Sequence, residues 1–273
     1  MSTSFGRGFH APVGKPVDSL AYERWTGRWS RMFVPMVIAA AQIAPGDRVL
    51  DVSTGTGEAA IVALDAVGAS GLVIGADIAP AMLTSARERL SDAAFQPVAA
   101  DGQALPFKDA SFDAVVCQLG LQFFPDPARG LSEFRRVLHP GASAGICVIS
   151  TPDKAPMWGI LAEELGRRLP AHRPVLGLSF ALADQSRLHA LFVSAGFRDI
   201  VIERVERHDI VESLEDYWEP IERGVGSIPQ VYLTLSEADR RAVREEVNGR
   251  LARFEVNGKL VLSLEMLIGR GQA

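Results

Sequence analysis

Three carboxylates and a pair of glycines stand at spacings suited to holding a small polar ligand. Gly55-Thr56-Gly57 follows the apolar run Arg48 to Val52 and opens a helical stretch. Glycines there let the backbone turn sharply and approach a ligand closely, and the amides at the start of a helix favour a negative group. Asp77 closes the next apolar run about 20 residues on, where a carboxylate can accept from both hydroxyls of a ribose or cap the helix from Ala79. Asp101 follows a third run and opens Asp101-Gly102-Gln103-Ala104-Leu105-Pro106-Phe107. Its carboxylate suits an exocyclic adenine amine, with Gly102 leaving room for the ring, although an Asp-Gly pair also serves as a surface turn.

These residues alone leave two ligands open. Gly55-Thr56-Gly57-Glu58-Ala59-Ala60 satisfies Gly-x-Gly-x-x-Ala, the turn of a nicotinamide-dinucleotide site. Asp51 argues for the other ligand. A carboxylate just before the turn sits badly beside a pyrophosphate and well beside an amino group.

The elements that must carry these groups alternate along the chain. Strands are expected near residues 48–52, 72–76, 95–99, 112–118 and 144–149, with helices at 58–66, 79–90 and 127–138 between them. Such alternation implies a parallel sheet covered on both faces, with its ligand crevice at the carboxyl ends of the strands. Upstream, residues 1 to about 18 form a loose Gly- and Pro-rich arm. Asp18 to Ile43 reads as one helix capped by Asp18 or Ser19, with Trp25, Trp29, Phe33 and Val37 along one side. Downstream, helices at 156–169, 184–195, 213–224 and 236–254 and strands at 200–205 and 259–268 suggest a helical cap on the sheet's binding edge. The expected divisions are thus 1–43, an arm and lid helix; 44–150, the ligand-binding core; and 151–273, the rest of the sheet with the cap and acceptor pocket.

Composition narrows the class. The 273 residues are 48% hydrophobic and 22% charged, enough for a sizeable core. A formal net charge of −5 argues against a protein that wraps nucleic acid. No apolar run approaches the roughly 20 residues that span a bilayer, and no secretion signal opens the chain, so a cytoplasmic protein is expected. Cys117 and Cys147 read as buried thiols of a reducing compartment, and no His or Cys cluster has metal-ligand spacing.

The ordered motifs resemble the class I methyltransferases that use S-adenosylmethionine. Val49 to Gly57 is similar to their first motif, Gly75 to Leu83 to the acidic stretch after it, and Asp101 to Phe107 with Ser111 to Cys117 to the next blocks. Leu138-His139-Pro140-Gly141 resembles the turn before the fifth strand. The branch looks like the type 11 and ubiquinone/menaquinone-biosynthesis enzymes, over roughly residues 20 to 150. The resemblance implies a doubly wound, mostly parallel seven-stranded sheet (Rossmann-like) with a helical cap. It also implies roles: Gly55 and Gly57 face the methionine part of the cofactor, Asp51 its amino group, Asp77 the ribose and Ile78 the adenine. Asp101, Gly102 and Gln103 would surround the adenine, and Leu119 would lie near the sulfonium. The Tyr22 to Ser30 segment would fold over the site, with Arg28 either on the cofactor carboxylate or on the surface. Ser53 stands where a first motif glycine is usual, which requires a backbone angle open to a non-glycine residue.

Methyl transfer from a sulfonium is an in-line displacement, helped chiefly by alignment and exclusion of water. A base is needed only for a protonated acceptor; among His10, His139, His172, His189 and His208, none can be assigned that role. Trp158, Phe180, Tyr217, Trp218, Tyr232 and Phe254 either line an apolar acceptor pocket or fill the cap's own core. The expected activity is methyl transfer to a small apolar or aromatic molecule. Cofactor binding without transfer and an NAD-dependent oxidoreductase are the alternatives.

Overall fold

The computed structural model describes residues 22–91 and 94–273. The expected arm, the caps at Asp18 and Ser19, and His10 lie outside the described residues. The strands are β1 (Arg48–Val52), β2 (Leu72–Asp77), β3 (Phe95–Ala99), β4 (Phe112–Gln118), β5 (Leu138–Ile149), β6 (Arg198–Val211), β7 (Glu255–Val256) and β8 (Lys259–Gln272). Among the described residues they form one eight-stranded sheet ordered β3-β2-β1-β4-β5-β8-β6, with the two-residue β7 paired to β8. β1 to β5 pair in parallel, and β8 runs antiparallel between β5 and β6. The fold is therefore a mixed α/β, Rossmann-like sheet, with the short β7 added to the seven strands expected.

Side chains alternate between the two faces because successive residues of a strand point oppositely. Along β4, Ala114 and Val116 join one apolar cluster while Val115 and Cys117 join the other. Both faces are covered, so the inner strands read as nearly continuous apolar runs. Strand order reverses between β1 and β4, which opens a crevice above their carboxyl ends.

Helices α1 (Arg28–Arg31) and α2 (Val34–Ala40) correct the expected single helix to Ile43. Pro35 has no amide hydrogen to donate, and its ring crowds the carbonyl of Arg31, so the helix breaks at Met32–Phe33. The apolar stripe survives the break: Trp25, Trp29, Phe33 and Val37 are all buried. Helices α3 (Glu58–Val67), α4 (Pro80–Arg89) and α5 (Pro127–Val137) follow β1, β2 and β4. The carboxylate of Asp126 caps α5 by accepting from the amide of Arg129 at 3.0 Å.

The cap comes from two stretches of chain. Helices α6 (Pro156–Arg168) and α7 (Arg173–Gly177) lie between β5 and helix α8 (Gln185–Ser194); α9 (Leu214–Glu222), α10 (Ser227–Tyr232) and α11 (Glu237–Leu251) lie between β6 and β7. α6 packs against both α10 and α11, which joins the two stretches. Tyr217 donates to the carbonyl of Met157 at 2.9 Å, and Trp218 lies edge-on to Tyr217. Trp25 meets Tyr217 edge-on with centroids 5.5 Å apart, so the N-terminal segment is anchored to the cap. Among the described residues, no helix is long and apolar enough to cross a membrane.

Trp29 is almost fully buried in this anchor. Trp29→Ala is expected to lower unfolding free energy by about 3–5 kcal/mol in urea denaturation. Ser236→Ala removes the cap that accepts the Asp239 amide at 3.1 Å, together with the hydroxyl's bond to the Asp239 carboxylate at 2.6 Å. That change should cost about 1 kcal/mol.

Candidate functional site

The turn after β1 is held from β2. The amide of Gly55 donates to Asp77 Oδ2 at 2.9 Å, while Asp77 Oδ1 accepts from the amide of Ala79 at 2.8 Å. The amide of Thr54 also donates to the carbonyl of Ala76 at 3.1 Å. Gly57 begins α3 with φ of 90°, a backbone that L side chains rarely adopt. Ser53, in the position usual for glycine, has φ of 59°. Leu119, just past β4, has φ of 56°. Two non-glycine residues in left-handed geometry beside one crevice hold strain of order 1–3 kcal/mol each.

This crevice, partly open to solvent, is lined by Tyr22, Ser53, Gly55, Asp77, Ile78 and Gly102, with Met82, Gln118, Leu119, Phe123 and Phe124 among its other walls. Ser53, Gly55, Asp77, Ile78, Gly102 and Leu119 are thereby brought together from four strand ends. Each Asp77 oxygen accepts one backbone amide. Gln118 donates to the carbonyl of Ser30 at 3.3 Å, while its Oε1 is buried without a partner.

The other expected residues stand off the wall. Asp51 is fully buried behind the turn; its Oδ2 accepts from the Thr54 hydroxyl at 2.7 Å and its Oδ1 has no protein partner. Burial, with Asp77 adding to it, lifts the Asp51 pKa to about 7 against the Thr54 hydrogen bond. Gly57 is packed against Leu90, whose Cδ1 would lie 2.6 Å from a Cβ there. Asp101 accepts from the amide of Gln103 at 2.8 Å and from its side-chain nitrogen at 3.1 Å. Gln103 Oε1 in turn accepts from the amide of Asp126, so this pair braces the loop that carries Gly102. The space at Gly102 is taken by protein: a Cβ there would lie 2.4 Å from the ring of Phe124.

Arg28 lies off the wall. Its guanidinium pairs with Asp209 and donates to the carbonyl of Ile210, both on β6. Of its two expected settings, this is the one on the surface. The N-terminal segment is held down instead by Arg89, which pairs with Glu23 at 3.3 Å and Glu58 at 3.0 Å and donates to the Thr56 carbonyl at 2.8 Å. Tyr22 is thereby set over the turn, its hydroxyl 3.7 Å from where a Cβ on Gly55 would be. Burial, with Asp77 and Glu58 nearby, raises its pKa well above the usual phenol value.

A second cavity lies beyond Tyr22, Leu119 and Phe123, which line both. Trp25, Ile149, Trp158, Ile228 and Pro229 give it apolar walls, and Gln122 lies among them. Of the six aromatic residues expected there, Trp158 lines it. Tyr217, Trp218 and Tyr232 pack on one another in the cap, Phe180 lines a different, more open cleft, and Phe254 packs at the rim of the core. None of the four described histidines lines either cavity. Cys117 and Cys147 are free and buried, the former with its pKa pushed up to about 12 by burial. Among the described residues, no group of three His, Cys, Asp or Glu is placed to hold a metal ion. Sequence reasoning missed Gln118 and Gln122, whose signal was a polar amide at and just beyond the end of an apolar strand.

Comparison with known proteins agrees with this layout. Residues 50–146 match the model of a family described as a methyltransferase domain. The chain is 41% identical over 126 residues to the ubiquinone/menaquinone biosynthesis C-methyltransferase UbiE of Xanthomonas campestris, covering 45% of this chain and 48% of that one. It is 39% identical over 147 residues to the demethylmenaquinone methyltransferase of Renibacterium salmoninarum, covering 54% and 58%. It thus spans about half the length of the curated relatives it matches. In fold it resembles phosphoethanolamine N-methyltransferase 2 of Haemonchus contortus, with a TM-score of 0.58 at 18% identity over 93% of this chain and 56% of that one. Residues 50–146 are thus similar to a methyltransferase domain, and the chain resembles in sequence the enzymes of the ubiquinone/menaquinone branch.

Proposed function

We propose that this protein transfers a methyl group from S-adenosylmethionine to a small, largely apolar molecule in the second cavity. The observation that carries the reading is the partition. One cavity has a carboxylate braced on a glycine turn, the other is apolar, and Tyr22, Leu119 and Phe123 line both. The residues of the first fit the cofactor: Asp77 for the ribose hydroxyls, Ile78 and Met82 against the adenine, and Gln118 Oε1 for a donor on the methionine part. Asp51 would act from behind the turn, on the amino group through water.

The cofactor supplies an activated methyl on a sulfonium when bound. What the chain contributes is alignment and dryness. Leu119 and Phe123 wall the passage between the cavities, and Tyr22 closes it from the N-terminal side, excluding water that would compete with the acceptor. Besides Tyr22, no titratable side chain among the described residues lines the second cavity. The acceptor therefore arrives as a nucleophile that needs no side-chain base, or passes its proton through water.

S-adenosylhomocysteine is expected to bind in calorimetry and NAD to give no heat; the reverse result would return the site to an oxidoreductase. Asp77→Ala should weaken that binding about tenfold or more, the loss of about 1.4 kcal/mol; unchanged affinity would remove Asp77 from the site. Label passing from methyl-labelled cofactor to an acceptor then separates transfer from binding alone.

Asp51 adds a pH dependence. Its raised pKa of about 7 means that the carboxyl is protonated below neutrality in the unliganded protein. A cofactor ammonium nearby favours the carboxylate, so binding expels that proton and grows tighter as pH rises from about 6 to 8. Asp51→Asn should flatten the dependence; a slope that persists in the variant would assign it to another group.

A further inference from the structure

The second cavity contains one polar group whose bonding capacity goes unused. Gln122 sits in the tight turn Leu121–Phe123 that follows β4 and is only 2% exposed. Neither its Oε1 nor its Nε2 has a partner. Buried amides without partners are costly and uncommon. Gln103 shows the contrast, since it donates to Asp101 at 3.1 Å and accepts from the amide of Asp126 at 2.8 Å. Gln103 closes a loop, whereas Gln122 lines a cavity and closes nothing.

We propose that Gln122 is a specificity-determining residue that takes the hydroxyl or carbonyl oxygen of an uncharged, mostly apolar acceptor. The walls around it are Trp25, Ile149, Trp158, Ile228 and Pro229, with the hydroxyls of Tyr22, Thr26, Ser179 and Ser227 and the indole nitrogens of Trp25 and Trp158 as other side-chain polar groups. No charged side chain among the described residues lines the cavity, so an ionised acceptor would lose its water without gaining a countercharge. A carboxamide offers a donor and an acceptor side by side, so it can bind a hydroxyl in either sense and a carbonyl through its nitrogen. Held by that oxygen, a flat or branched apolar molecule is turned toward the partition formed by Leu119 and Phe123. The inference rests on the methyltransferase reading only for the identity of the neighbouring cofactor.

The test uses protein loaded with S-adenosylhomocysteine and three two-ring probes: 2-naphthol, 2-methylnaphthalene and 2-naphthoate. The native protein is expected to bind 2-naphthol about tenfold more tightly than 2-methylnaphthalene, as for one buried hydrogen bond, and to bind 2-naphthoate most weakly. Gln122→Met and Gln122→Leu should erase the preference for the hydroxyl, with affinity for S-adenosylhomocysteine kept and the thermal midpoint unchanged or higher. A preference that survives both substitutions overturns the proposal, as does a native protein that does not distinguish the first two probes. A lowered thermal midpoint in both variants also overturns it, since it would make the amide a structural group. If S-adenosylhomocysteine does not bind, the methyltransferase reading fails; the same probes on unloaded protein then still decide the role of Gln122.

Discussion

The carboxylate of Asp77 reaches across from β2 to the turn after β1 and takes the amide of Gly55 on one oxygen and that of Ala79 on the other. Two neighbouring strand ends are thereby fixed to one another at the mouth of the crevice. Hydrogen bonds to an ionised acceptor are the stronger kind, and this one sets the height of the glycine turn relative to α4. The strained backbone of Ser53 next to it and the packing of Gly57 on Leu90 both depend on that height. In the proposed reading, binding chemistry and local architecture use the same side chain.

The second dependence is the seating of the N-terminal segment. A buried Glu58 and a half-buried Arg89 make the ion pairs that hold Glu23 and Arg31 near the turn, and the edge-on contact of Trp25 with Tyr217 ties the same segment to the cap. The charged part of this seat is partly shielded from solvent, so salt screens it less than it would an exposed pair. Tyr22 is positioned by these contacts together with its own packing on the core. The two cavities owe their separation to it.

Much of the core was legible because its signals are local. A strand, a glycine turn and a helix succeed one another within a few residues, and Asp51, Asp77 and Asp101 each stand at or near a strand end that periodicity alone identifies. What escaped was non-local. Arg28 pairs with an acid 181 residues away on a strand whose full length the sequence concealed. β6 is an edge strand; the exposed Glu203, Arg204, Glu206 and Arg207 break the apolar alternation by which strands are read, so only its first half was expected. The broken helix was legible in principle from Pro35 but was masked by an apolar stripe that runs on through the break. The second cavity draws Trp25, Gln122, Ile149, Trp158 and Ile228 from separate segments, and no spacing rule joins them.

The shared wall has a consequence for how proteins of this architecture diverge. Tyr22, Leu119 and Phe123 face both cavities, so a change at any of them disturbs the two together. The short stretch Val225 to Pro229, entering α10, faces the second cavity alone. In the proposed reading, descendants that vary this loop explore new acceptors while inheriting an intact cofactor site, whereas those that vary the partition lose in both. Innovation and inheritance are thus assigned to different parts of one chain, and the loop before α10 is where a lineage has freedom to experiment.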